Sequence, residues 1–214
     1  MTIEVGTAIV SYIEPAPGQA RAFNEWYERD HFPAAVLAGP GVFAGARYVA
    51  TRACKEVRPP SGTLFGDPTR GSYLAIAWVL AGKQSEWDAW VAREMETITA
   101  EGRLFEGREH LHTAVYTVSD HRGEIATGLE RRFAGVIAVA DYDRVHSVPG
   151  GLTVSLSLER TIVSSAAPLP HTLILSFVDD DPCALFAQVP TQNVGFASPF
   201  FATIPGTDIY TEEL

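Results

Sequence analysis

Hydrophobic and polar residues alternate along much of the chain in short segments, most of which end at proline or glycine. Segments rich in β-branched and aromatic residues predict β-strands when they show this period of two. The alternation is cleanest over 152–163, whereas 72–80 is apolar on both faces, which is typical of a central strand. The strands predicted in this way cover residues 3–13, 42–53, 72–80, 109–118, 133–142, 152–163, 172–178 and 200–210.

A helical period replaces the strand period in a few segments. A first helix is predicted over about 19–37, before glycine and proline residues that would end it. A second helix begins near Ser85, because apolar residues recur after it on one stripe. In the second half of the chain, the pattern predicts only a short helical remnant at 143–148 and a helix over 183–189.

These elements repeat along the chain. Residues 1–118 read βαββαβ, residues 119–132 form a polar linker, and the pattern restarts in 133–214 with its first helix almost lost. Two open four-stranded sheets each need a partner for the bare face, so we expect them to pack face to face as one barrel-like core. The loop 55–70 is too long for a simple connection, and we expect a lid over a cavity or a poorly ordered segment.

Composition and charge narrow the classes of function. The apolar fraction is 46% and the formal charge is −10, which disfavours nucleic acid and anionic membrane surfaces as partners. We expect no membrane span and no signal peptide, since no apolar run approaches ~20 residues and the N-terminus has no basic region. Two cysteines, Cys54 and Cys183, are expected to be reduced thiols in a cytoplasmic protein.

One stretch of the first predicted helix carries a motif of the form N-x-W-Y-x-x-x-H-x-P. Its residues are Asn24, Trp26, Tyr27, His31 and Pro33, followed by Pro40-Gly41-Val42 and Ala46-Arg47-Tyr48. Together these residues resemble the dimeric α+β barrel superfamily, and within it the EthD-like and related small-barrel proteins. Many relatives have two arginines where this sequence has Arg47 alone. The second half of the chain lacks the motif, which implies one site per chain.

The resemblance implies an α+β fold of two ferredoxin-like βαββαβ repeats in one chain, of which the second is degenerate. The antiparallel sheets of the two repeats would pack face to face as a pseudo-dimeric barrel around a central cavity. It also implies either a monomer with this internal pseudo-dimer or a homodimer. Members of the superfamily include cofactor-free monooxygenases, aromatic polyketide cyclases, decarboxylases and dehydratases. The sequence has no P-loop, G-x-G-x-x-G, G-x-S-x-G or C-x-x-C motif, so we expect no cofactor.

The helical spacing of the motif indicates which side chains share a face. Phe23, Tyr27 and His31 follow one another at intervals of four, and Asn24 lies on the same stripe. His31 is the candidate general acid/base, and Tyr27 or Asn24 is a candidate donor to a developing oxyanion. Because Pro33 disfavours helical backbone just before it, we expect a kink or helix end at His31. The alternative is a histidine that only caps the helix or is buried.

Further candidates come from the strands. His110 and His112 are two positions apart on a predicted strand, so they are expected to share a face with Ala114 and Tyr116, and with His31 they would offer three nitrogens to a metal. No acidic residue stands at a suitable spacing, so solvent-facing or cavity-lining histidines are the preferred interpretation and no metal is assigned. Tyr48, Trp78 and Tyr116 are candidate walls for an aromatic ligand, although ordinary core packing explains them equally well.

Arg47 lies on the strand face opposite Tyr48. It is a candidate to hold a carboxylate or phenolate, and a surface ion pair is the alternative. The favoured hypothesis is a cofactor-independent enzyme acting on a small aromatic or polyketide-like substrate in a lyase, cyclase or oxygenase step. The alternatives are a non-catalytic ligand-binding or assembly protein and a metal or haem protein. A pocket reached by His31 would favour catalysis, and a filled interior would favour binding or scaffolding.

Overall fold

Eight β-strands form the framework of the molecule. The computed structural model describes residues 3–60, 64–141, 150–164, 170–191 and 194–214, with Asp141 described for its backbone only. The strands are β1 (Val5–Pro15), β2 (Val42–Val49), β3 (Tyr73–Leu80), β4 (Arg108–Arg122), β5 (Gly135–Asp141), β6 (Leu152–Ser164), β7 (Thr172–Val178) and β8 (Phe196–Ala202). The helices are α1 (Ala20–Trp26), α2 (Arg52–Glu56), α3 (Gln84–Ala100), α4 (Ile125–Leu129) and α5 (Pro182–Phe186).

The strands close into one antiparallel barrel in the order β1-β3-β2-β8-β5-β7-β6-β4. The first half of the chain therefore contributes one arc, β4-β1-β3-β2, and the second half contributes the other, β8-β5-β7-β6. The long seam between the arcs pairs β4 with β6 from His112 to Arg122. At the short seam, Tyr48 and Val49 of β2 pair with β8.

The predicted pair of ferredoxin-like repeats, with two sheets packed face to face, is wrong. Strands from the two halves are hydrogen-bonded neighbours at both seams, so there is one continuous eight-stranded sheet with few helices. The physical reason is that two open sheets leave unpaired N–H and C=O groups at their edges, which closure into a barrel satisfies. The sequence pattern reveals strands, but it does not reveal which edges pair.

Aromatic side chains occupy the barrel interior. The strand period of two sends one side chain in two inward, and the inward set forms the largest buried cluster. Its bulkiest fully buried members are Tyr12, Trp78, Tyr116, Phe177, Phe196 and Phe200. The rings of Tyr12 and Phe196 lie 5.7 Å apart, edge to face. The interior is thus a packed core where the family resemblance implied a central cavity.

A helical layer covers the outer face of β1, β2 and β3. Helix α1 continues as wider π-helical turns over Tyr27–His31 and Pro33–Leu37. At His31, where a kink or a helix end is expected, the helix instead continues as wider π-helical turns. Phe32 keeps helical backbone before Pro33. Single π-helical turns are rare and occur often at functional sites. No helix among the described residues is long and apolar enough to cross a bilayer.

The predicted loop 55–70 closes one end of the barrel. It follows α2, and its Arg58 side chain donates to Ser198 Oγ (2.8 Å) and to the carbonyl oxygens of Pro68 and Gly71. Phe65 from the same loop is buried in the interior cluster. The described part of this loop therefore packs into one end of the barrel interior. It does not line the cavity at His31.

Other differences from the predicted elements are local. Residues 119–122 of the predicted linker continue β4, and α4 forms within the rest of it. Strand β8 begins earlier than predicted, at Phe196, and ends at Ala202. The predicted helical remnant at 143–148 lies outside the described residues.

Candidate functional site

A cavity of about 270 Å³ lies on the outer face of the barrel, beneath the helical layer. Its floor includes Ile9 of β1 with Ala75 and Ala77 of β3, which point outward on their strands. The two alanines leave room that larger side chains would fill. The remaining apolar walls come from the π-helical turns, α3 and β6, and include Phe32, Val36, Trp87, Val91, Met95 and Ile162.

A chain of hydrogen bonds runs along one wall of this cavity. Arg108 Nε donates to His110 Nε2 at 3.1 Å, and His110 Nδ1 lies 3.3 Å from Thr113 Oγ1. Thr113 Oγ1 donates to Ser11 Oγ at 3.1 Å. Because Nε2 of His110 accepts from an arginine, its Nδ1 carries the proton and donates to Thr113. The order of these bonds fixes one tautomer of His110.

His31 faces the same cavity and is only 8% exposed. Its ring stacks on Trp26, with 4.7 Å between centroids, and meets the Tyr27 ring edge-on at 5.1 Å. Burial, with the charge of Arg108 and the neighbouring His110 adding to it, lowers the pKa of His31 to about 4. The buried Nδ1 has no hydrogen-bond partner among the residues that the structure describes. His31 is therefore a neutral imidazole at pH 7, with hydrogen-bonding capacity that the protein leaves unused.

Arg108 brings a positive charge to the wall of the cavity. Its guanidinium lies 4.6 Å from the Trp26 ring centre, and burial lowers its pKa. Within the described residues no carboxylate forms an ion pair with it, whereas the adjacent Glu109 pairs with Arg70. Arg108 also lines a larger, charged cleft of about 760 Å³ next to the cavity. A half-buried cation without a carboxylate partner is suited to bind an anion.

The two histidines of β4 lie on opposite faces of the sheet. A β-bulge inserts Leu111, so that His110 is opposite Ile13 and His112 is opposite Tyr12. His112 therefore points into the barrel, where its Nε2 lies 3.0 Å from the Tyr116 hydroxyl. The expectation that His110 and His112 share a face is wrong. Among the described residues no three potential ligands gather as a metal site.

Arg47, Asn24 and Phe23 form a structural anchor under α1. Arg47 Nη1 donates to Asn24 Oδ1 at 3.0 Å and to Glu28 Oε1 at 3.1 Å. Its guanidinium lies 4.4 Å from the Tyr27 ring centre and 5.8 Å from that of Phe23. Arg47 is 5% exposed, so the alternative of a surface ion pair is also wrong and the pair is buried. The anchor holds the helix, and it does not line the cavity at His31.

Only part of the predicted site comes together. His31, Tyr27 and His110 line the cavity. Tyr48, Trp78, His112 and Tyr116 belong to the barrel interior, on the other side of the sheet. The sequence reasoning missed Arg108, Thr113 and Ser11. Arg108 lies two positions before His110 and one position before the predicted strand 109–118, so extending that strand by one residue was the available signal for a shared face.

Solved structures include a protein with a related fold. The chain has the fold of an anthrone oxidase-like protein. The crystal structure described by that name superposes with a TM-score of 0.52 and 10% sequence identity, over 96% of this chain and 95% of the other. At this identity the likeness shows the fold alone. No family model matches the sequence, and no curated protein matches it either.

The buried histidines predict how stability depends on pH. Burial lowers the pKa of His31, His110 and His112 to about 4 each, while an unfolded histidine titrates near 6.5. Between these two pKa values the unfolded chain binds more protons than the folded chain. The contribution of these histidines to the free energy of unfolding is therefore fully present above about pH 6.5, and it is lost as the pH drops towards 4. Near pH 5 we expect these three histidines together to bind roughly 2–3 more protons in the unfolded chain than in the folded chain.

Urea unfolding measured between pH 7 and pH 5 checks this prediction. The His112→Phe variant should show a pH slope smaller by about one proton, because one buried titrating ring has been removed. An unchanged slope in His112→Phe would contradict the assignment.

Proposed function

We propose that this protein is a cofactor-independent enzyme that acts on a small aromatic or polyketide-like compound in the outer cavity, with His31 as general acid/base. The observation that carries the proposal is the neutral His31 ring in the wall of an apolar cavity, beside Arg108, which forms no ion pair with a carboxylate among the described residues. An apolar cavity with a few converging polar groups is the usual form of a small-molecule site. The anthrone oxidase-like name of a structural neighbour supports an aromatic substrate.

The first chemical step would be removal of a proton from an acidic C–H or phenol of the substrate. The neutral His31 has a lone pair ready to accept it, and the substrate anion that forms raises the pKa of the imidazole by attraction. Arg108 would stabilise the same anion, in a site whose other walls are mostly apolar. Burial raises the pKa of Tyr27 to about 12, so its hydroxyl stays protonated and can donate to the anion.

Oxidation of anthrone is a suitable test reaction for this step. His31 would take a methylene proton, and the resulting carbanion would reduce dioxygen to give a peroxide anion. His31 then returns its proton to the peroxide anion, takes the second methylene proton as the O–O bond breaks, and passes it to the departing hydroxide, which gives anthraquinone and water. One anthrone and one dioxygen are consumed for each anthraquinone and water, and His31 returns the proton it took. Decarboxylation, dehydration or cyclisation would begin with the same proton transfer.

Filling the cavity tests whether it is the binding site. We expect Ala77→Leu to weaken binding of naphthol at least about tenfold, because the longer side chain occupies the floor where the ligand would lie. Calorimetric titration of wild type and variant with naphthol measures the change in Kd. The exposed Ala184 offers a control with the same substitution away from the cavity. Equal binding by wild type, Ala77→Leu and Ala184→Leu would place the site elsewhere.

A non-catalytic binding protein is the second candidate. The aromatic interior of the barrel supports it, because among the described residues large buried rings such as Trp78 and Phe200 occupy the region where the resemblance implied a central cavity. Naphthol binding in the outer cavity, with no acceleration of proton exchange or oxidation of anthrone, would favour this function over catalysis.

A further inference from the structure

The two cysteines meet where the two halves of the barrel adjoin. Cys54 lies in α2, and Cys183 lies in α5, 129 positions later. Their Sγ atoms are 3.0 Å apart, although nothing in their sequence positions indicates contact. Cys54 is completely buried, whereas Cys183 is partly exposed. A small oxidant can therefore reach the pair through Cys183.

Both thiols are held in place by the starts of their helices. Thr51 Oγ1 accepts a hydrogen bond from the backbone N–H of Cys54 at 3.4 Å and also donates to its Sγ at 3.4 Å. Asp181 Oδ1 accepts from the backbone N–H groups of Cys183 and Ala184, at 2.8 and 3.2 Å. These caps fix the two short helices with their sulfur atoms facing each other.

The surroundings favour ionisation of one member of the pair. A hydrogen bond from Cys183 lowers the pKa of Cys54 to about 7, helped by Thr51 and by the nearby charge of Arg58 and opposed by burial. Because the thiolate is the nucleophile in thiol chemistry, a pair that shares one proton near neutral pH is reactive. Structural cysteines buried in apolar surroundings lack this property.

We propose that Cys54 and Cys183 are a redox modification site that closes to a reversible disulfide in the presence of a peroxide. The proton of Cys183 passes to the Cys54 thiolate, and the Cys183 thiolate formed in this way attacks the peroxide O–O bond, giving a sulfenic acid and an alkoxide or hydroxide, which takes one proton from solvent to become an alcohol or water. Cys54 then loses its proton, attacks the sulfenic sulfur and expels water. One thiol, one thiolate, one peroxide and one solvent proton thus give one disulfide, one water and one alcohol or second water. The sulfur atoms need to approach from 3.0 Å to about 2.05 Å.

The disulfide would join α2 to α5 across the short seam of the barrel. This seam has two paired positions, Tyr48 with Ala202 and Val49 with Phe201. A cross-link that closes a loop of more than 100 residues restricts the unfolded chain strongly, which stabilises the folded one. We expect the oxidised protein to unfold about 5 °C or more above the reduced protein.

Mass spectrometry after treatment with hydrogen peroxide tests the proposal. We expect wild type to lose two free thiols per chain and to give a linked pair of peptides containing Cys54 and Cys183, which dithiothreitol separates. The yield should not depend on protein concentration, since the bond is intramolecular. Cys54→Ser and Cys183→Ser should give no linked pair. Cys54→Ser should instead accumulate sulfinic acid on the partly exposed Cys183, whereas the buried Cys54 of Cys183→Ser should stay largely reduced.

Two results would overturn the proposal. One is sulfinic or sulfonic acid on wild-type Cys183 with no linked pair while circular dichroism shows the native fold. The other is an unchanged fraction of free thiols at peroxide concentrations that oxidise Cys183 in the Cys54→Ser variant. The thermal shift supplies a second readout, which should disappear in both serine variants.

Discussion

Replacing His31 by alanine is expected to slow proton removal from anthrone by about 100-fold or more, while the barrel remains folded. The reason is that His31 is the neutral imidazole in the apolar wall of the cavity, and its Nδ1 has no hydrogen-bond partner in the part of the chain that the structure describes. Exchange of the anthrone methylene protons in deuterated water, followed by NMR without oxygen, measures this step separately from oxidation. Oxygen consumption and anthraquinone formation then measure the full reaction.

The matched control for this experiment is His171→Ala, because His171 is exposed just before β7 and does not line the cavity. It should leave both rates at the wild-type value. Full exchange activity in His31→Ala would remove His31 from the mechanism. If His31→Ala loses activity and also unfolds, His31→Gln distinguishes the loss of the base from the loss of the fold. It keeps a polar side chain of similar length and should still lack the proton transfer.

Replacing Arg47 by methionine is expected to lower the free energy of unfolding by about 3–5 kcal/mol, the usual cost of removing one partner from a buried ion pair. Methionine keeps the apolar length of the side chain and removes its charge. Glu28 then keeps only its bond from the Gly206 backbone N–H, while Asn24 loses its bond from the guanidinium. Urea unfolding of wild type and variant measures the difference.

A second arginine–glutamate pair on the same helical segment provides the comparison. Arg29 and Glu25 are 2.7 Å apart, and their side chains are 75% and 54% exposed. Because exposed pairs contribute little, Arg29→Met should change the free energy of unfolding by less than about 0.5 kcal/mol. Similar small effects of both substitutions would contradict the structural role assigned to Arg47.

The strands were predictable from the sequence, and their arrangement was not. Alternation depends on which side of each strand is buried, so 152–163 and 72–80 were recognisable without knowing their neighbours. Closure of the barrel depends on pairing between β4 and β6 and between β2 and β8. No local pattern records such contacts, and two open sheets with the same strands satisfy the same alternation.

The candidate site was predictable where helical spacing determined it. Tyr27 and His31 share a face four residues apart, and both line the cavity. His110 and His112 show the limit of such reasoning, because one inserted residue in β4 sends them to opposite faces. Arg47 shows a second limit, since its strand face was clear but its partners under α1 were not.

The central claim is that the cavity at His31 admits a small aromatic compound. A crystal structure of the protein soaked with naphthol tests it most directly. We expect the ring between Ala77 and the α3 side chains, with the naphthol oxygen within hydrogen-bond distance of His31 or Arg108. Naphthol bound elsewhere, or an unoccupied cavity at a naphthol concentration that saturates binding in solution, would contradict the claim.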